Sequence, residues 1–200
     1  MPRRDAGPRP RLSEPQGFTI GEPIRGSWWA HPLSNDVYAI SQQLQHCGDV
    51  MLTKLVSGKE TYLHRRLWPQ MLAIGIAREA WQLDGLSTTA ATLLAEVERC
   101  GSARLDQVPG ARTRRELSDD ARELAMRLLV NGDDVHSASG AHVKRIETWQ
   151  SWAGRHGVSL DHLPSASEAR AEFEHIVARA NAKCSARAFL PWQKKESRRR

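Results

Sequence analysis

Residues 113–149, TRRELSDDARELAMRLLVNGDDVHSASGAHVKRIETW, carry the pattern on which the fold assignment turns. Thr113 and Glu116 stand at the spacing of a capping box, in which each side chain satisfies the other residue's backbone N–H at a helix start. Behind them Leu117, Ala121, Leu124, Ala125 and Leu128 recur at helical spacing, which predicts a helix with one apolar face. Leu128-Leu129-Val130 leads through Asn131-Gly132 to Asp134-Val135-His136 as a first strand. Ser137-Ala138-Ser139-Gly140 reads as the turn into a second strand over 141–149. Immediately upstream, Ser87 opens a helix bearing Ala91, Leu93, Leu94, Val97 and Cys100, which stops at Gly101. Residues 102–108 predict one short helix with its own cap, broken by Pro109-Gly110. Helix, short helix, helix and two-stranded wing is the order of a winged helix-turn-helix.

Further upstream, Val37, Ile40, Leu44 and Cys47 predict an amphipathic helix over about 35–47, capped by Ser34 or Asn35 and ended by Gly48. Residues 50–56 and 61–64 flank Ser57-Gly58-Lys59 and predict a β-hairpin, followed by a helix from Trp68 or Pro69 to Leu83. Downstream, Ser165 or Ser167 caps a last helix reaching about Ala188. The expected class is α+β and mainly helical: a winged helix-turn-helix with an additional N-terminal helix/β-hairpin/helix unit and a C-terminal helix. The expected segments are a basic arm and lead-in at 1–25, the helix-hairpin-helix unit at 26–85, the winged helix at 86–157, the C-terminal helix at 158–190 and a basic tail at 191–200.

The chain has 200 residues, of which 40% are hydrophobic and 26% charged, an ordinary globular profile that leaves room for one large domain or two small ones. No apolar run approaches the roughly 18 residues of a membrane helix, and Asp5 to Pro15 is too polar for the core of a signal peptide. Cys47, Cys100 and Cys184 are far apart and lack CxxC spacing, so the expectation is a reduced, cytoplasmic protein without disulfides. The formal charge is +6 and the pI about 9.6. Four Arg against one Asp give residues 1–11 a net of +3, and five cations against one Glu give residues 192–200 a net of +4. The body, 12–191, is therefore −1. Such arms either add sequence-blind, salt-dependent affinity for phosphates or are solvated tails with no partner.

Within the body the cations gather at three places. Arg112, Arg114 and Arg115 open the third helix, the end that meets base edges in a helix-turn-helix. Lys144 and Arg145 lie in the wing. Lys54, Lys59, Arg65 and Arg66 lie along the first hairpin. Residues 112–127 hold five Arg but also four acids, Glu116, Asp119, Asp120 and Glu123, which suit capping and the helix dipole better than a groove of DNA. Trp28, Trp29 and Trp68 carry two readings: rings stacked on bases beside cations, or core residues whose indole N–H finds a partner. His136 and His142 flank one turn, but no third ligand is signalled, so neither a metal nor another cofactor is expected.

Gly26-Ser27-Trp28-Trp29 with His31-Pro32, Lys54-Leu55-Val56-x-Gly58-Lys59, His64-Arg65-Arg66-Leu67-Trp68-Pro69, and Val135-His136-x-x-Ser139-Gly140-x-His142 with Trp149 resemble the signature stretches of a family of uncharacterised bacterial winged-helix proteins related to the AlkZ-like DNA glycosylases. The likeness covers about residues 24–157. It implies a winged-helix fold, DNA as partner and a link to the repair of alkylated or crosslinked purines. The glycosylases are longer, with several winged helices, and their catalytic motif is of the Gln-x-Gln or Gln-x-Asp kind. Gln43-Leu44-Gln45 has that form, which makes Gln43 and Gln45, with Asp36 or Asp49 nearby, the candidates for positioning a water at a flipped-out base. Gln is equally a good surface residue of a helix. The expected function is thus nucleic-acid binding, DNA before RNA. A purine-releasing glycosylase and a protein-interaction module are the alternatives.

Overall fold

A computed structural model describes residues 32–110, 112–136, 142–183 and 187–193. Among them, seven α-helices and two small antiparallel sheets form an α+β fold. In chain order these are α1 (Ser34–His46), the hairpin β1 (Val50–Val56) and β2 (Lys59–His64), α2 (Trp68–Ala77), α3 (Ala80–Leu83), α4 (Thr88–Cys100), β3 (Ser102–Arg104), α5 (Arg114–Met126), the pair β4 (Asn131–His136) and β5 (His142–Glu147), α6 (Trp149–Arg155) and α7 (Ala166–Asn181). None of these helices is long and apolar enough to cross a membrane.

The first hairpin forms where alternation predicts it. Met51, Thr53 and Leu55 are buried and the residues between them half exposed. Ser57 and Gly58 both take positive φ, 54° and 67°, as a two-residue turn between twisted strands requires. With Leu63, the inner face of the hairpin joins a core in which Met71, Leu72 and Ile74 of α2 lie among Trp149, Trp152 and Phe173. The chain returns to this core at Ala188 and Leu190, and the Ser57 N–H donates to the Phe189 carbonyl at 2.8 Å. The C-terminal segment is thereby clamped to the hairpin turn.

A second core holds Leu93 and Val97 of α4, Leu117 and Leu124 of α5, and Ile146 of β5. Its sheet has the order β3-β5-β4. Thr113 and Glu116 form the expected reciprocal capping box, at 2.7 and 3.2 Å. Two further acids of α5 fasten it to the start of α4. Asp120 accepts from the Thr89 hydroxyl at 2.8 Å, and Glu123 from the Ser87 hydroxyl at 2.7 Å. Three of the four acids in this region, Glu116, Asp120 and Glu123, are therefore structural, whereas Asp119 is exposed.

Several local expectations are corrected. The short helix expected at 102–108 is replaced by β3, which pairs Ser102 with Glu147 and Ala103 with Ile146, followed by a turn. Its partner strand is distant in sequence, so a local cap pattern cannot reveal it. The strand expected over 128–136 begins only at Asn131, so Asn131-Gly132 lies inside β4 as expected while Leu128-Leu129-Val130 is not strand. The reversal is made at Leu128, with φ 54°. Its residues are apolar because they are buried between the two cores, Leu128 in the first and Leu129 and Val130 in the second. The Leu128 carbonyl is satisfied from afar, by Trp149 Nε1 at 2.7 Å and buried Gln82 Nε2 at 3.3 Å, while the Leu128 and Leu129 N–H groups donate to the Ala125 and Leu124 carbonyls at the end of α5.

The helix expected from 68 to 83 is broken, because Arg78 takes φ 54° and its guanidinium pairs with Glu98 at 2.6 Å. A new cap at Glu79 then starts α3. The strand expected to run to Trp149 stops at Glu147, and Thr148 caps α6, a helix that strand alternation conceals. Neither Ser34 nor Asn35 caps α1: Leu33 holds the cap position and no side-chain cap forms. Ser165 does cap α7, in a box with Glu168, but the helix ends at Asn181, whose side-chain amide holds the backbone of Ala188 at 2.7 and 2.9 Å. Residues 1–25, Trp28, Trp29, the turn at 137–140 and the tail beyond 193 lie outside the described residues.

Candidate nucleic-acid interface

The start of α5 presents Arg114 and Arg115 exposed to solvent. Three- and four-residue steps carry the stripe from Arg115 through Asp119 and Arg122 to Met126, all exposed. The exposed residues of this helix thus include three arginines, Arg114, Arg115 and Arg122, against two acids, Asp119 and Glu116, the latter held in the capping box. Beside its first turn Asp106 is matched by Arg104 at 2.8 Å; this hydrogen bond, with Arg114 adding a smaller attraction, holds its carboxyl below the usual range.

The other expected cations divide by burial. Arg112 turns back into the fold, with Nη1 3.0 Å from Asp120, a carboxylate only 10% exposed, and 3.2 Å from the Thr89 carbonyl. Arg145 is paired with Asp133 at 2.6 Å. Both guanidinium groups are thus tied to acids of the fold while remaining partly exposed. Lys54 pairs with Glu60 at 3.3 Å and Arg65 with Asp49 at 3.1 Å, but their acids are 64% and 50% exposed. Such surface pairs are worth about 0–1 kcal/mol and are readily exchanged for a phosphate. Lys59 and Arg66 are exposed, and Lys144 is half buried.

Lys54 and Lys144 meet in one place, a groove of about 360 Å³ bounded by the first hairpin, α5 and the second sheet. Arg122 and Arg155 also line it. Neither stood among the expected site residues. Arg122 is legible as the continuation of the Arg115 stripe two turns on. Arg155 is not, because it depends on α6. On the sheet side Arg155 grips Glu147 with two guanidinium nitrogens and reaches Asp133 at 3.6 Å, which joins β4, β5 and α6 in one ionic network.

Gln45 borders the groove, whereas Gln43 is exposed outside it. Residues two apart on a helix do not face each other, so α1 cannot bring both amides to one base. For Trp68 the structure decides between the two readings in favour of the core: it is 5% exposed, its indole N–H donates to the Leu63 carbonyl at 3.1 Å, and its ring meets Trp152 edge to face at 4.9 Å.

His156 stacks on Trp152 at the edge of the groove, with centroids 4.2 Å apart. Burial, with the Arg155 charge beside it, lowers its pKa below the ordinary imidazole value. The unfolded chain therefore takes up this proton first. The contribution to stability is fully present above about pH 6.5 and is lost as the pH falls from there toward the lowered folded value. His156→Phe, which keeps the stack, is expected to give urea midpoints that decline less between about pH 7 and 5 than those of the parent. Parallel declines would remove His156 as the source.

Compared with protein-family models, curated proteins and solved structures, the chain finds no match.

Proposed function

We propose that the protein binds nucleic acid, with DNA preferred to RNA, through a winged helix-turn-helix built from α4, β3, α5, β4 and β5. The outward stripe of Arg114, Arg115 and Arg122 on α5 carries this reading. The element order supports it, as does a sheet in which the first short strand pairs with the last strand of the wing, β3-β5-β4. In this arrangement α5 enters the major groove by its first turns and Arg114 and Arg115 reach base edges or flanking phosphates. Lys59 and Arg66 on the first hairpin and the two basic arms add phosphate contacts that raise affinity without sequence preference. The reading suits a reducing, cytoplasmic setting, in which Cys47 and Cys100 stay free.

Fluorescence anisotropy with a labelled duplex at two salt concentrations tests it. Affinity is expected to fall steeply with salt, and the Arg114→Ala/Arg115→Ala double variant to bind about tenfold or more weakly with a shallower salt slope. Its melting temperature should not move, since both side chains are exposed. Absence of duplex binding at low salt by the full chain would overturn the proposal. The place of Gln45 on the groove favours a second reading, a glycosylase that releases modified purines. Purine release from alkylated duplex, lost in Gln45→Ala and kept in Gln43→Ala, would put that reading first.

A further inference from the structure

The groove between the first hairpin and the second sheet has a chemistry of its own. Its accessible apolar lining comes from Val50 and Leu52 of β1 and Ala125 of α5, over a floor of the buried core residues Ala121, Val130 and Ile146. Above this surface stand cations from three separate elements: Lys54 of β1, Arg122 of α5 and Lys144 of β5. Arg122 and Lys144 form no ion pair among the described residues, and the acid beside Lys54 is largely in solvent. Asp133, also on the lining, is already neutralised by Arg145 and Arg155. Arg122 and Lys144 therefore bring to the groove positive charge with which none of the described carboxylates pairs.

A second observation is independent of that charge. Asn131 lines the same groove, is only 4% exposed, and its buried Oδ1 has no hydrogen-bond partner. Buried side-chain oxygens are nearly always paired, so this one marks a place where a donor is missing. A volume of about 360 Å³ falls at the small end of the range that ligand pockets occupy.

We propose that this groove binds a small organic anion with an apolar body and a hydrogen-bond donor: the anionic group against Lys144 and Arg122, the body on Val50, Leu52 and Ala125, and the donor toward Asn131. The three requirements match three features of the lining, which converge on one concavity. The proposal rests on the groove alone and holds whether or not the protein binds nucleic acid.

Titration of the free full-length chain by heteronuclear NMR, without DNA, tests it with four probes: 4-hydroxybenzoate, benzoate, phenol and inorganic phosphate. Expected are saturable shifts at the amides of Asn131, Gly132 and Lys144 with 4-hydroxybenzoate, affinity about tenfold lower for benzoate, which lacks the donor, and weaker still for phenol and for phosphate. Lys144→Gln and Arg122→Gln, each kept only if its melting temperature matches the parent, are expected to lose tenfold or more for 4-hydroxybenzoate. Asn131→Ala, if it folds, should abolish the preference over benzoate. No saturable shift at these amides, phenol binding as well as 4-hydroxybenzoate, phosphate binding as well as either, or indifference to Lys144→Gln would each overturn the proposal.

Discussion

Gly75→Ala is expected to destabilise the protein by about 3 kcal/mol, the upper end of the usual cost of overpacking a core. On an open helix the same change would stabilise by about 0.5–1 kcal/mol, because alanine loses less backbone entropy. Here the sign reverses for a geometric reason. A Cβ on Gly75 would stand 2.3 Å from Cδ1 and Nε1 of Trp149 and 2.6 Å from its Cε2. The indole cannot step aside: it is 1% exposed, lies among α2, α6 and α7, and its N–H is committed to the Leu128 carbonyl at 2.7 Å. Displacing it breaks that bond and loosens the reversal that leads into β4. Urea unfolding followed by Trp fluorescence or far-UV circular dichroism measures the effect. A midpoint equal to or above the parent's would show that the ring does not fill this space. Trp149→Phe in the Gly75→Ala background should recover part of the loss, a coupling that a double-mutant cycle isolates.

The second large effect is expected for Arg155→Met, again about 3 kcal/mol, at the low end for breaking a buried pair because Arg155 is itself 40% exposed. Methionine keeps most of the aliphatic stem but removes the charge that Glu147, 5% exposed, depends on. The variant leaves this carboxylate buried without its charge partner. Glu147→Gln added to Arg155→Met should be more stable than Arg155→Met alone at neutral pH, because the amide carries no charge to leave unpaired. If the single variant unfolds at the same urea concentration as the parent, the network is not a support of the fold.

Local chemistry made some elements legible and hid others. The Thr113–Glu116 box, the Ser57-Gly58 turn and the alternation of β1 are short-range signals, and each forms where the sequence places it. Leu128-Leu129-Val130 misleads because burial, not pairing, makes those residues apolar. Strand β3 and helix α6 depend on partners far along the chain, the first on the β5 ladder and the second on a core that takes in Trp149 and Trp152. The candidate site divides in the same way. The exposed arginines at the start of α5 follow from the helix register. That Arg112 and Arg145 are tied within the fold follows only from Asp120 and Asp133, which the fold brings against them.

By itself, the sequence determined that the chain is α+β and mainly helical, where most helices begin, and that its net positive charge comes from residues outside 12–191. Those properties depend on neighbours within a few residues: caps, turns and apolar periodicity. Only the tertiary structure decided which cations are fastened to buried acids and which face solvent. It also decided that Lys54, Arg122, Lys144 and Asn131 share one groove. These residues lie on β1, α5, β5 and β4, elements whose mutual placement comes from two buried cores, and no local pattern encodes a meeting of side chains that only packing brings about.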